Sequence, residues 1–286
     1  MNREKMRDLE FELRQINVSN GFIEKYIPIM ENIGIYKDSI LDNHLYKCVN
    51  HTDVKALRAD YTTSIVADFA KRSEVLPKRV AYYGEIFRTD KPKNYRQIGV
   101  EYLGGNSKEA DLLIMDLIMK YLNTIELKDS VLCINYMPFI KEIIKKMDLD
   151  EMEEIEFINL LLAHNYVEIE KALNLKLKIE EYDAIWKLFN ERNITKVLAS
   201  LKKILPEYQI NEGIQELLFQ YSDRFVFDIG LVKNLDYYTG LVFEVYVGNK
   251  AKPIISGGRY DDLSKKFGSD FPAIGFALDA NYLGEI

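Results

Sequence analysis

Residues 79–104 read RVAYYGEIFRTDKPKNYRQIGVEYLG, and this stretch indicates the fold more directly than any other. Its two ends, residues 79–88 and 97–104, are rich in β-branched and aromatic side chains, and such runs favour β-strands. The polar segment between them, residues 89–96, is typical of a loop. The stretch therefore predicts two neighbouring strands of one sheet.

The second of these strands carries polar side chains on one face. Because side chains alternate along a strand, Gln97, Gly99 and Glu101 share a face, and the two polar groups stand roughly 13 Å apart. Glycine adds no side chain to that layer, so we expect a gap at Gly99 where a small ligand approaches the backbone. A solvent-facing polar strand explains the same residues, and QxGxE alone favours that alternative.

Outside this stretch, secondary-structure patterns divide the chain into three blocks. Residues 1–135 mix helix and strand patterns, and Asn106 with Glu109 resembles a capping box before a buried helix. Residues 136–222 contain long Lys/Glu/Leu/Ile segments at helical spacing, which predict an all-helical insertion. Strand patterns resume in residues 223–286, in RFVFDIGL, LVFEVYV, KPIISGG and FPAIGFAL. We therefore predict one α+β domain whose sheet is completed from both ends of the chain.

Composition limits the classes of function. The formal charge of −7, from 38 basic and 45 acidic residues, argues against nucleic acid as the main partner, because phosphate binding relies on clustered Lys and Arg. The two cysteines, Cys48 and Cys133, have no framework spacing, so we expect buried free thiols in a reducing compartment. The charged first residues and the lack of a long apolar run favour a cytoplasmic protein.

The sequence contains no motif typical of a metal-binding site or of a catalytic nucleophile. His44, His51 and His164 have no Cys, His or acid at ligand spacing. The chain contains no G-x-S-x-G, H-E-x-x-H or phosphate-binding loop motif. We expect no metal site, no catalytic residue and no cofactor.

A second polar cluster precedes the strand LVFEVYV. Residues 234–240 read NLDYYTG, and residues 256–263 read SGGRYDDL. Two phenols beside a carboxylate are costly to bury without partners, whereas a turn needs only Thr-Gly. The excess of polar groups predicts a small polar pocket at the edge of the strand.

Six segments in this order carry a family resemblance: GFIEKYIPIME, LRADYT, AYYGEIFR with QIGVEYLG, LVKNLDYYTGLVFE, GGRYDDL and PAIGFAL. They resemble the core of histidyl-tRNA synthetase, a class II synthetase, and its paralogue, the regulatory subunit of ATP phosphoribosyltransferase. The resemblance implies an antiparallel sheet flanked by helices over residues 1–135 and 223–286. It also implies a homodimer interface around Pro28.

The resemblance further implies a histidine pocket, beginning with the residues that hold the ammonium group. The family motif LRPEGT is similar to LRADYT here. Asp60 and Thr62 are therefore expected to contact the ammonium, assisted by Gln97.

The imidazole ring has its own set of implied partners. By resemblance, Glu101 and Tyr238 recognise the ring, and Tyr237 and Tyr260 line the pocket. A neutral imidazole has one donor and one acceptor, so a carboxylate and a hydroxyl suit its two nitrogens.

Departures from the synthetase pattern affect the residues expected to bind ATP. The second-motif arginine is retained as Arg88, but Lys233 replaces the arginine before LDYY and cannot form a bidentate fork. GFAxGxxR becomes GFALDANY, which puts Tyr282 at the ATP-binding arginine. The loop after Arg88 is also short. Together these changes predict a degenerate ATP site in a pocket that binds histidine without activating it.

The chain also ends four residues after Tyr282, so we expect no anticodon-binding domain, either because the protein is short or because the sequence is truncated. The resemblance then favours the regulatory paralogue. This implies a non-catalytic, allosteric subunit that assembles with the short ATP phosphoribosyltransferase and reports histidine as the feedback signal. The alternatives are a divergent amino-acid-activating enzyme and a synthetase-derived scaffold or RNA-binding module.

Overall fold

The computed structural model describes residues 3–37, 39–51, 53–72, 75–91, 95–127, 129–233 and 237–283. The chain divides into two compact units. The first contains residues 1–128 and 254–286, and the second contains residues 129–253.

The strands in chain order are β1 (Ile23–Glu24), β2 (Met30–Asn32), β3 (Lys47–Val49), β4 (Val54–Leu57), β5 (Lys78–Ile86), β6 (Tyr95–Leu103), β7 (Ser130–Tyr136), β8 (Val226–Phe227), β9 (Leu241–Val247), β10 (Ile255–Arg259) and β11 (Ala273–Asp279). The α-helices are α1 (Arg3–Ser19), α2 (Tyr61–Arg72), α3 (Ser107–Ile125), α4 (Met137–Lys146), α5 (Glu151–Leu162), α6 (Tyr166–Lys176), α7 (Ile179–Asn190), α8 (Ile194–Ile204), α9 (Glu212–Gln220) and α10 (Ala280–Leu283). Short 3₁₀ helices lie at Ile33–Tyr36, Ile40–His44 and Asp261–Phe267.

The central sheet of the first unit has the strand order β1-β5-β6-β11-β10. Strand β1 runs parallel to β5, and the other neighbours are antiparallel. The predicted pairing of residues 79–88 with 97–104 is confirmed by β5 and β6. Strands from both ends of the chain meet where β6 pairs with β11, so the fold is α+β, as the sequence predicts.

The register of this sheet places glycines beside the polar residues of β6. Gly84 and Tyr82 of β5 lie opposite Gln97 and Gly99. On the other side of β6, Gly275 of β11 lies opposite Glu101. Directly opposed residues project to the same face of a sheet, so one face combines small residues with polar side chains.

Helix α3 covers the sheet of the first unit and begins at the predicted cap. The Asn106 side chain accepts hydrogen bonds from the backbone N–H groups of the first turn, of which that of Lys108 is 2.9 Å away. The apolar face of α3 is buried, and Tyr121 meets Phe276 of β11 edge-on with ring centroids 5.1 Å apart. Asn17 of α1 donates to the Tyr121 hydroxyl at 2.8 Å, so two helices are fastened through one buried phenol.

A smaller sheet of the first unit has the order β2-β4-β3, with both neighbours antiparallel. Arg58, which follows β4, is buried and donates to backbone carbonyls at both sides. These are Pro28 at 3.2 Å and Glu85 at 2.7 Å. The arginine therefore ties the segment around Pro28 to the end of β5.

The second unit joins a short mixed sheet to six helices. Strand β7 pairs in parallel with β8 and antiparallel with β9. Helices α4 to α9 account for most of residues 136–222, which confirms the helical character predicted there. Strand β8 is only two residues long, shorter than the predicted RFVFDIGL. The boundaries at residues 135 and 223 stay a prediction.

Two further findings concern the environment of the chain. Within the residues given above, no helix is both long enough and apolar enough to cross a bilayer. Cys48 and Cys133 are free thiols, but they are half-buried rather than buried as expected. Burial raises the pKa of the Cys133 thiol to about 11, with a smaller contribution from Asp228.

Candidate functional site

The carboxyl group of Glu101 forms the centre of the candidate site in the first unit. Its side chain is only 1% exposed. One carboxyl oxygen accepts from the Thr62 hydroxyl at 2.5 Å, and the other accepts from the Tyr260 hydroxyl. The carboxyl leans over β11, where a Cβ at Gly275 would overlap it. Glycine is therefore required opposite Glu101 for the acid to fit.

Burial changes the acidity of this group. Desolvation raises the pKa of Glu101 to about 8, and the nearby Asp60 carboxylate adds to the rise. Hydrogen bonds from Thr62, Tyr260 and Tyr82 act in the opposite direction but do not offset the burial. At neutral pH the acid is mostly protonated, so it can donate a hydrogen bond as well as accept one.

The expected gap at Gly99 is wrong. The Tyr82 side chain, itself buried, lies across Gly99, and a Cβ at that glycine would overlap its hydroxyl and ring. The Tyr82 ring also stacks on Tyr61, with centroids 4.3 Å apart and planes 11° apart. The floor between Gln97 and Glu101 is thus a phenol rather than bare backbone.

The residues predicted to hold an ammonium group lie at the start of α2 and on β6. Asp60 accepts from the Thr63 backbone N–H at 2.7 Å, so it caps α2 in addition to any role toward a ligand. Thr62, in the same turn, contacts Glu101. Gln97 Oε1 is buried, and no hydrogen-bond donor reaches it from the described residues. An unpaired buried acceptor is costly, and a donor from a ligand would satisfy it.

Tyr237 and Tyr238 belong to the second unit. Their ring centroids are 4.8 Å apart with an interplanar angle of 64°. The ammonium of Lys233 lies 5.6 Å from the Tyr238 ring centroid. Residues 234–236, which include the acid of DYYTG, lie outside the described residues. That these tyrosines line the pocket of Glu101 stays a prediction.

The two basic residues assigned to the degenerate ATP site are paired with carboxylates. Arg88 donates to both carboxylate oxygens of Asp90, at 2.9 and 2.7 Å. Lys233 donates to Glu244 at 2.6 Å, and both side chains of that pair are mostly buried. The third position, Tyr282, has its backbone in α10, and its side chain lies outside the described part.

An additional acid lies at the end of β11, close to Tyr95 of β6. Asp279 occupies the position of the glycine in GFAxGxxR and lies opposite Gln97. Burial raises the pKa of Tyr95, and the charge and hydrogen bonding of Asp279 raise it further. A carboxylate at this point disfavours a phosphate through like-charge repulsion.

Two residues of the GGRYD segment contact different parts of the first unit. Tyr260 meets Glu101, as described above, whereas Arg259 points to α3. Its guanidinium donates to the buried Asp111 carboxylate, with one contact at 3.0 Å, and to the Ser107 carbonyl at 3.0 Å. Arg259 therefore fixes β10 against the start of α3.

Sequence reasoning missed four residues that shape the site: Tyr61, Tyr82, Asp90 and Asp279. Strand alternation does place Tyr82 and Gly84 on one face, so the AYYG segment held a usable signal. The pairing of Arg88 with Asp90 also had a signal, since the two residues are only two positions apart. Asp279 required the register between β6 and β11, which no local pattern shows.

Comparison with known proteins identifies the family. The histidyl-tRNA synthetase family profile matches residues 2–283. The histidine–tRNA ligase of Methanocaldococcus jannaschii is 29% identical over 290 residues, covering 96% of this chain and 70% of the relative. The ATP phosphoribosyltransferase regulatory subunit of Caldanaerobacter subterraneus subsp. tengcongensis is 29% identical over 290 residues, covering 95% and 76%.

A solved structure shows the same fold. The Bacillus halodurans protein described as an ATP phosphoribosyltransferase regulatory subunit/histidyl-tRNA synthetase superposes with a TM-score of 0.87 at 24% identity. The match covers 99% of this chain and 79% of that protein. The chain therefore has a class II synthetase fold and belongs to the histidyl-tRNA synthetase family, whose named members include both tRNA ligases and regulatory subunits of ATP phosphoribosyltransferase.

Proposed function

We propose that the chain is a non-catalytic regulatory subunit of a short-form ATP phosphoribosyltransferase in the cytoplasm. It binds histidine in the pocket around Glu101, and it is required for full activity of the catalytic subunit. Histidine bound in this pocket lowers that activity, which gives feedback control of histidine synthesis. Relatives named as regulatory subunits, such as that of Caldanaerobacter subterraneus, support this role.

One observation carries the proposal: Arg88 and Lys233, the basic residues assigned to ATP, are each paired with a carboxylate. Activation of an amino acid requires free cations on the phosphates, because charge develops there in the transition state. Arg88 is held by Asp90, and Lys233 is held by Glu244. Glu101, by contrast, is buried and held in place by two hydroxyls.

The pocket chemistry suits an imidazole. A protonated Glu101 donates to the unprotonated ring nitrogen, and Tyr238 accepts from the other nitrogen. Both ring nitrogens are then satisfied, whereas an apolar side chain such as leucine would leave the buried carboxyl without its partner. The ammonium group meets Asp60, Thr62 and the unpaired Gln97 Oε1.

We also propose that the chain forms a homodimer through the segment around Pro28. Large apolar side chains near this proline are exposed, including Tyr26 at 81%, Met30 at 55% and Ile29 at 50%. A contiguous exposed apolar patch marks an interaction surface. The family resemblance points to a second copy of the chain as its occupant.

Calorimetry with L-histidine and L-leucine tests the pocket. We expect histidine to bind and leucine not to bind. Glu101→Ala should weaken histidine binding by roughly 1–3 kcal/mol, since it leaves the buried ring nitrogen without its hydrogen-bond donor. Asp60→Asn preserves the cap of α2 but removes the negative charge. It should therefore weaken histidine binding, because the ligand's ammonium group loses its charged partner.

The exposed Glu109 provides a control, because Glu109→Ala leaves the pocket intact. Unchanged affinity in both pocket variants would contradict the site.

A second candidate function is amino-acid activation, which the relatives named histidine–tRNA ligase favour. The two functions separate in an ATP–pyrophosphate exchange assay with histidine. The regulatory proposal predicts no exchange above background. Exchange at about 1 s⁻¹ or faster, an ordinary enzyme rate, would establish the second function in place of the first.

A further inference from the structure

Three aromatic and cationic groups are layered above Gly84 on β5. The Tyr61 ring lies between the Tyr82 ring, at 4.3 Å, and the Arg58 guanidinium, at 4.1 Å. Tyr61 is 3% exposed. A Cβ at Gly84 would overlap the Tyr61 hydroxyl, so this hydroxyl lies directly on the strand.

The layer is held rigidly. Arg58 donates to the backbone carbonyls of Ile27, Pro28 and Glu85, with the Glu85 contact at 2.7 Å. On the opposite side, Tyr82 is fixed against Gly99. Tyr61 therefore cannot move away without losing its contacts with both neighbours.

The position of Tyr61 has a consequence for ligand size. Gly84 lies opposite Gln97, which marks the ammonium end of the proposed pocket. Arg88 lies two residues after the end of β5 at Ile86, and so roughly 13 Å beyond Gly84 if the chain stays extended at about 3.3 Å per residue. The carboxylate of a bound amino acid shares its α-carbon with the ammonium, so any group attached to the carboxylate would extend toward Gly84.

We propose that Tyr61 is the residue that limits the size of the group that a bound histidine can carry on its carboxyl carbon. Its ring lies on the side toward which such a group would project, so the pocket accepts histidine and its simple amide but excludes aryl amides, bulky esters and adenylates by volume. The LRPEGT pattern has glycine at this position, whereas this chain has tyrosine. This inference rests on the proposed histidine pocket. The Tyr61 ring would be a second obstacle to amino-acid activation, in addition to the pairing of Arg88 and Lys233 with carboxylates.

Binding of three ligands tests the role of Tyr61: L-histidine, L-histidinamide and L-histidine β-naphthylamide. The naphthylamide adds bulk without phosphate charge, so it reports volume independently of Arg88. The parent should bind histidinamide but bind the naphthylamide at least about 100-fold more weakly. In Tyr61→Gly and Tyr61→Ala the two amides should bind within about 10-fold of each other. Tyr61→Phe, which retains the ring, should exclude the naphthylamide as the parent does.

The outcomes separate the two proposals. If the parent binds histidine and the naphthylamide equally well, Tyr61 is no barrier, whatever the stability of the variants. A folded Tyr61→Ala variant that binds histidine but still excludes the naphthylamide would also show that Tyr61 is not the barrier. The proposal of a histidine pocket would be unaffected by that result. Failure of histidine and histidinamide to bind the parent would overturn the pocket itself, and the inference with it.

Discussion

The substitution Glu101→Gln removes the buried acid while retaining its shape. The amide oxygen can accept from one of the Thr62 and Tyr260 hydroxyls, and the amide nitrogen can donate to the other. In the folded chain the pKa of Glu101 is raised to about 8 by burial, from an ordinary value of 4.5. The folded state therefore binds a proton that the unfolded chain releases in this range. The stability that this group contributes is fully present below pH 4.5 and is lost as the pH rises through about 8.

The size of the loss follows from linkage. Each pKa unit corresponds to about 1.4 kcal/mol, so the parent should lose about 3 kcal/mol of unfolding free energy from this group between about pH 5 and pH 8. Glutamine does not ionise, so the Glu101→Gln variant should not show this loss. The difference in stability between variant and parent should therefore increase in favour of the variant as the pH rises.

Urea unfolding of both proteins at several pH values measures this difference. Glu12→Gln is the control, because Glu12 is an exposed glutamate on α1, and its curve should follow that of the parent. Parallel pH dependence of the parent and Glu101→Gln would refute the reasoning, since it would mean that Glu101 ionises normally in the folded chain.

Three further predictions concern Gly275 next to Glu101, the Arg88–Asp90 pair of the degenerate ATP site, and the homodimer. Gly275→Ala places a methyl group in the space of the Glu101 carboxyl, so it should destabilise the chain by about 1–3 kcal/mol and weaken histidine binding in calorimetry. Asp90→Asn removes the carboxylate partner of Arg88, so it should bind ATP several-fold more tightly than the parent at low salt, and equal affinity would show that Asp90 does not neutralise the arginine. Light scattering should give twice the chain mass of 33.4 kDa, whereas a monomer mass at micromolar concentration would contradict the homodimer.

Much of the fold follows from local patterns in the sequence. The alternation in residues 79–104 predicted β5 and β6, and Asn106 predicted the start of α3. Helical spacing predicted the helices of residues 136–222. Each of these features depends on neighbours within a few positions, and local chemistry is therefore enough to specify it.

The interior of the site depends on distant neighbours, and the sequence alone does not show them. The space for Glu101 comes from Gly275, a residue of another strand that β11 brings opposite. The gap expected at Gly99 is filled because Tyr82 stands in the opposing position of β5. A pattern along one strand shows which residues share a face, but the register decides which side chain fills each space.

Transferase assays with a short ATP phosphoribosyltransferase test the central claim most directly. The account predicts that adding the chain raises the activity and that histidine then lowers it. Glu101→Ala should retain the activation and raise the inhibitory histidine concentration by about 10-fold or more, because each decade corresponds to about 1.4 kcal/mol. Two proteins that do not associate, or a Glu101→Ala complex as sensitive to histidine as the parent complex, would contradict the account.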